Sequence, residues 1–140
     1  MSELVSGLNI FGGDDRIDAL TKKVVHGDSL KVGNLDIECL FTPCHTTGHI
    51  CYYVKDSKEA ANSPIVFTGI KIIRRLKFIQ SLRLNYSAWF FSGDTLFLGG
   101  CGRFFEGDAT QMHKALVEIL GNLPNETVRI YDSKCTALKN

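Results

Sequence analysis

Apolar and polar positions alternate along much of the first half of the chain, and this period of two predicts β structure. Leu30, Val32, Leu35, Ile37, Cys39 and Phe41 fall on one face through a corner at Val32-Gly33-Asn34. That pattern predicts a hairpin with one buried and one wet face. Leu8 to Phe11, ahead of Gly12-Gly13-Asp14-Asp15, reads as a short strand ending in a turn. Asp15 to Lys22 is expected to form a short helix with Ile17 and Leu20 inward. His26-Gly27-Asp28 is a turn, Ile50 to Val54 another strand, Lys55 to Ser63 a loop, and Pro64 to Phe67 a buried strand. The period then changes. Met112, Ala115, Leu116, Ile119 and Leu120 recur at helical spacing behind Asp108, an N-cap residue with Gln111 three positions on. Gly121 reads as the residue that closes the helix and Pro124 as a barrier to its continuation. Val128 to Tyr131 is the last predicted strand. Strands followed by a helix and a strand imply a layered α/β domain.

Composition sharpens this only in part. The chain has 140 residues, 44% hydrophobic and 22% charged, enough apolar surface for one core and against general disorder. A net charge of +1 gives no bulk reason to bind nucleic acid, and no apolar run approaches the ~18 residues of a spanning helix. The near-neutrality hides an asymmetry. Lys71, Arg74, Arg75, Lys77 and Arg83 crowd the segment from Ile70 to Gly93, which carries no acid. Five cysteines occur with no C-x-x-C pair, and the opening residues lack the basic start and apolar core of a signal peptide. Free thiols in a reducing compartment are the expectation.

Two polar residues in apolar surroundings carry the candidate chemistry. Pro43 holds Thr42 extended, and Thr46-Thr47-Gly48 cannot comfortably continue a strand, so His45 is presented on a loop at a strand end. Neutral imidazole is a ligand for zinc and iron. The competing reading is a histidine that hydrogen-bonds its own turn, and His49 fits that role better than His45. Asp94, between Ser92-Gly93 and Thr95-Leu96-Phe97, must be paired, hydrogen-bonded or bound to a cation. It is either a turn-capping aspartate or a carboxylate able to bridge two metals. Gly99-Gly100-Cys101-Gly102 does not match a dinucleotide-binding fingerprint.

Taken together, G-L-N-I-F-G-G-D-D-R-I-D-A-L-T, C-L-F-T-P-C-H-T-T-G-H-I-C-Y-Y-V, I-V-F-T-G and D-T-L-F-L-G-G-C-G-R-F-F-E-G resemble the hydroxyacylglutathione hydrolases (glyoxalase II) of the metallo-β-lactamase superfamily. The resemblance implies part of an αββα sandwich with a binuclear centre of zinc or iron. It implies hydrolysis of S-D-lactoylglutathione, the glutathione thioester formed in methylglyoxal detoxification, to glutathione and D-lactate. By motif position, His45 would ligate one metal and Asp94 would bridge both. Arg103, Phe104 and Phe105 fall where the family contacts glutathione. Arg103 keeps a positive charge for a carboxylate, while Phe105 stands in place of a tyrosine and lacks its hydroxyl. A monomer in the cytoplasm is expected, with a mitochondrial form possible in the family.

The same resemblance exposes departures. The family's T-H-x-H-x-D-H signature is missing, and only His26, His45, His49 and His113 occur. Asp132-Ser133-Lys134-Cys135 stands where another ligand histidine belongs. Ile70 to Gly93 separates two motifs that are contiguous in the family. A truncated or alternatively spliced form is therefore expected. It would lack the N-terminal strands and the C-terminal helical region, with a basic insertion at 70–93 and a divergent tail at 132–140. Ile72, Leu76 and Ile79 fall on one stripe of a possible amphipathic helix in that insertion. Two metal donors would leave this chain alone inactive. The alternatives from other classes are a non-catalytic interaction fragment and a non-functional splice product.

Overall fold

A computed structural model describes residues 9–59, 62–68, 94–97 and 99–130. The basic segment at 70–93 and the tail at 132–140 lie outside the described residues. Among those residues the elements follow in order: β1 (Phe11–Gly12), β2 (Lys22–Lys23), β3 (Ser29–Val32), β4 (Leu35–Phe41), β5 (Ile50–Asp56), β6 (Ile65–Phe67), α1 (Ala109–His113), a π-helical continuation (Lys114–Leu120) and β7 (Val128–Ile130).

β3 to β7 form one five-stranded sheet in chain order. β3, β4, β5 and β6 run antiparallel to one another in turn, and β7 joins β6 in parallel. The predicted hairpin has the expected register, with Val32 opposite Leu35. Gly33, at φ 60°, supplies the positive φ that a two-residue hairpin loop needs at its first position. The one-wet-face expectation fails toward the sheet centre. One face carries Ile37, Cys39, Ile50, Tyr52 and Val54 with Val24. The other carries Leu40, Cys51, Tyr53 and Val66 against Leu120, with Leu96, Leu116 and Ile119 beside them. β5 is therefore buried on both faces, so its side chains form an almost continuous apolar run instead of an alternating one.

The Asp15 to Lys22 helix does not form. Two separate turns take its place, closed by Ile17 N–H to Asp14 O and by Leu20 N–H to Ile17 O. Ala19 adopts a left-handed φ of 60°, which ends any helical run, and the Asp14 side chain accepts the Arg16 backbone N–H. Ile17 and Leu20 still face inward, against Gly12, where a Cβ would collide with Ile17.

The second helical prediction is met at its start. Asp108 caps α1 through a reciprocal capping box with Gln111. The turn then widens to π winding, which brings Ala115 and Leu120, five positions apart, to the same buried side. Gly121 closes the helix at φ −70°, right-handed and not in the left-handed cap expected. Replacing Asp108 with Ala should cost about 1 kcal/mol, read as a fall in the chemical-denaturation midpoint at unchanged slope. No helix among the described residues is long and apolar enough to cross a membrane.

Candidate metal centre

The sheet ends β4 and β5 are joined by the loop that carries His45, and the strand ends fix that loop from below. Thr42 N–H donates to His49 O at 2.9 Å, continuing the β4–β5 ladder by one step. His49 is buried, and its Nδ1 lies 3.0 Å from Thr42 Oγ1 and 2.9 Å from Thr95 Oγ1. The Thr42 hydroxyl also lies 3.2 Å from Cys51 Sγ. His49 thus ties together the strand end, the turn and the segment bearing Asp94. Burial, and secondarily the charge of His45, lower its pKa to about 4, so it is a neutral structural group near pH 7.

Asp94 arrives from a different part of the chain. Thr95 N–H donates to Thr68 O and Thr68 Oγ1–H donates to Leu96 O, so residues 94–97 lie along the end of β6. Gly102 then packs on the Asp94 backbone so closely that a Cβ there would overlap Asp94 O. This approach lays the segment 101–107 across the mouth of the His45 loop.

The consequence is a defined orientation for the imidazole. His45 Nδ1 lies 2.8 Å from the Arg103 carbonyl oxygen. A carbonyl only accepts, so Nδ1 carries a proton there, and Nε2 is the ring nitrogen left to face an ion. Metal-binding histidines are held in this way, with the nitrogen remote from the ion donating to a backbone or carboxylate acceptor. The free Nε2 faces Asp94 Oδ2 at 3.4 Å. His45 is 18% exposed at its side chain and Asp94 46%, so the two donors are open to an incoming ion or solvent.

Arg103, Phe104 and Phe105 all lie on this segment and are exposed. The Phe105 ring meets the His45 ring edge-on at 5.0 Å between centroids, and the Arg103 guanidinium sits 5.3 Å from the Phe105 centroid. The structure therefore brings His45, Asp94, Arg103 and Phe105 together. The other histidines are elsewhere. His26 Nδ1 accepts the Phe41 N–H, and His113 stands exposed in the last turn of α1. Among the described residues no group of three or more His, Cys, Asp or Glu side chains is placed to hold a metal ion. Cys39, Cys44 and Cys51 are buried free thiols, and burial pushes those of Cys39 and Cys51 up to about 11, so they are poor metal ligands or nucleophiles near pH 7.

Two participants escape a reading of the sequence. Glu106 accepts the Thr47 backbone N–H at 2.7 Å and the Thr47 hydroxyl at 3.0 Å. Arg16 grips the same carboxylate with two nitrogens, at 2.6 and 2.8 Å, and reaches Asp14 as well. Hydrogen bonds from Arg16 and Thr47 hold the Glu106 carboxyl down at about 2, below the usual carboxylate range. Gly13 and Gly48 permit this docking, since a Cβ on Gly48 would come within 2.6 Å of Asp14 Cβ.

No family model matches the chain. Solved structures and curated relatives do. A Myxococcus xanthus ETHE1 crystal structure superposes with a TM-score of 0.60 at 24% identity, covering 96% of this chain and 47% of that one. A metallo-β-lactamase from Staphylococcus aureus superposes with a TM-score of 0.59 at 25% identity, covering 88% and 32%. The chain thus has the metallo-β-lactamase fold in part.

The sequence relatives narrow this further. The chain is 39% identical over 133 residues to a hydroxyacylglutathione hydrolase-like protein of Gallus gallus, covering 95% of this chain and 38% of the relative. It is 35% identical over 137 residues to a hydroxyacylglutathione hydrolase of Dictyostelium discoideum, covering 98% and 42%. It is 39% identical over 137 residues to a probable hydroxyacylglutathione hydrolase of Schistosoma mansoni, covering 97% and 46%. The chain belongs to the hydroxyacylglutathione hydrolase family and spans less than half the length of these relatives.

Proposed function

We propose that this chain carries one side of a metal-dependent thioester hydrolase site that acts on a glutathione thioester, S-D-lactoylglutathione. The observation that carries this reading is the His45 ring. Its Nδ1–H is engaged by a backbone carbonyl and its Nε2 is turned toward Asp94 at 3.4 Å. Two corners of a tetrahedron around an ion with bonds of about 2.1 Å are also about 3.4 Å apart, so these two donors fit one zinc or iron ion. When bound, the metal would supply Lewis acidity and a water whose pKa falls toward ~7.

The chain's own residues account for the rest. His45 offers its Nε2 while the Arg103 carbonyl holds its Nδ1–H, and Asp94 offers an exposed carboxylate that lowers the net charge of the site. Arg103 presents a guanidinium to a substrate carboxylate, as the glycine end of glutathione would provide. Phe104 and Phe105 give an apolar surface beside it. Hydrolysis breaks the acyl C–S bond, forms a C–O bond from water, and leaves the proton on the released thiol.

His45 and Asp94 are two donors, and catalytic zinc takes three protein ligands as a rule. The 140-residue chain alone is therefore expected to bind zinc weakly and to hydrolyse lactoylglutathione negligibly. A zinc titration followed by ring-nitrogen NMR should move His45 Nε2 and leave His49 still, and Asp94→Asn should weaken that response. Zinc that leaves the His45 ring unchanged would refute the metal assignment. Turnover at about 1–1000 per second by zinc-loaded chain would refute the donor count.

A further inference from the structure

We infer that Glu106, held by Arg16, is a positioning residue that fixes the His45 imidazole, acting on the ring through the loop and not by touching it. Its purpose rests on the reading of His45 as a metal donor, but its geometry stands without that reading.

The His45 loop touches the segment 101–107 at two levels. On one side of the ring, the Arg103 carbonyl takes the Nδ1 proton. On the other side, two residues further along the loop, Thr47 gives both its backbone N–H and its hydroxyl to Glu106 Oε2. Glu106 N–H returns a bond to Cys44 O at 3.3 Å, one residue before the histidine. His45 is thereby bracketed at positions 44 and 47 by a single residue of the facing segment. The Arg103–His45 contact is three residues from Glu106 on one strand of this bracket and two from Thr47 on the other. Neither segment can slide without breaking it.

Glu106 alone would be a flexible carboxylate. Arg16 removes that freedom with a two-nitrogen grip, and Arg16 is itself gripped by Asp14 through Nε and Nη2. Asp14 in turn lies against Gly48, in the same loop as His45. The bracket therefore closes on itself: loop, Glu106, Arg16, Asp14 and loop again. A planar guanidinium that meets two carboxylates at fixed angles transmits position better than a point charge such as lysine. Mere surface pairing would not require this closure, since exposed ion pairs contribute little to stability.

The expected signature is in the imidazole, not in bulk stability. Long-range ¹⁵N–¹H correlation at mildly alkaline pH should show a single Nδ1–H tautomer for His45 in the intact chain. Glu106→Ala should lose that single-tautomer pattern and populate Nε2–H, which an unconstrained neutral histidine side chain prefers, while the His49 signals stay in place. Glu106→Gln keeps one oxygen for the Thr47 N–H but loses half of the Arg16 grip, and should give a pattern between those of the wild type and Glu106→Ala. Zinc affinity should fall by about 10–100-fold in Glu106→Ala, the usual size of the loss when a metal-binding histidine is deprived of its support. An unchanged His45 tautomer in a folded Glu106→Ala chain overturns the inference, whether or not zinc binds. If His45 and His49 change together, the fold has been lost and Arg16→Met decides. Arg16 is 60% exposed and its loss leaves the core intact. A His45 change with His49 unmoved in that variant supports the inference, and no His45 change overturns it. Failure of wild-type chain to bind zinc, with the tautomer results as expected, would count against the proposed function alone.

Discussion

Acidification from about pH 7 to about pH 4 should remove about 3 kcal/mol of folding stability through His49 alone. An unfolded histidine titrates near 6.5, whereas burial and the nearby His45 lower His49 to about 4 in the fold. Between those values the unfolded chain binds a proton that the folded chain refuses. Stability is therefore complete above about 6.5 and is lost as pH falls toward 4. The lowered pKa values of Asp14 and Glu106, both about 2, act in a separate and lower window. Their unfolded values are 3.8 and 4.5, so their contribution fades only as pH falls below those values toward 2. Denaturant midpoints measured across pH should show two steps. His49→Gln should flatten the upper one and leave the lower intact. An upper step that persists in His49→Gln would show that another group titrates there.

Gly102→Val should destabilise the chain by about 3 kcal/mol and disconnect the candidate site at the same time. The reason is space and not φ, for Gly102 is absent from the positive-φ residues and a Cβ there would overlap the Asp94 carbonyl oxygen. The segment must move off Asp94, and the Arg103 carbonyl moves with it. The His45 Nδ1 proton then loses its acceptor. The measurement is a denaturation curve together with the His45 ring-nitrogen spectrum. Gly99→Ala is the control, because a Cβ at Gly99 meets nothing within 4 Å while its φ of 80° still carries the strain of a left-handed residue. It should cost about 1 kcal/mol and leave the His45 spectrum alone. A Gly102→Val spectrum identical to wild type would show that the close approach does not position the histidine.

Much of this is legible in the sequence itself. The hairpin from Leu30 to Phe41 is specified by alternation and by a glycine at its corner, and both are local properties. The Asp108–Gln111 capping box is local too. His45 and Asp94 stand out because polar groups at apolar strand ends need partners. What stays hidden depends on distance along the chain or on backbone atoms. Arg16 and Glu106 are separated by 90 positions, and neither residue has a neighbour that hints at the other. The acceptor for His45 is a main-chain carbonyl, which every residue possesses, so no side-chain pattern announces it. The Asp15 to Lys22 segment has an amphipathic look, but Arg16 and Asp14 are engaged in the loop bracket and Ala19 turns left-handed. Tertiary demands overrule the local propensity there. The π winding after α1 shifts a stripe that helical spacing describes only approximately.

The sheet also has a closing order. β3, β4, β5 and β6 pair with near neighbours, so short loops suffice to bring them together. β7 reaches Ile65, Val66 and Phe67 only after the chain has travelled past Asp94, the glycine-rich segment and the helix. Loop closure of that length is slow, and its partners gain little until late. The last strand to zip is the one whose amides should exchange first with deuterium, which makes β7 the seam where a nascent polypeptide is still permeable after its hairpin has set.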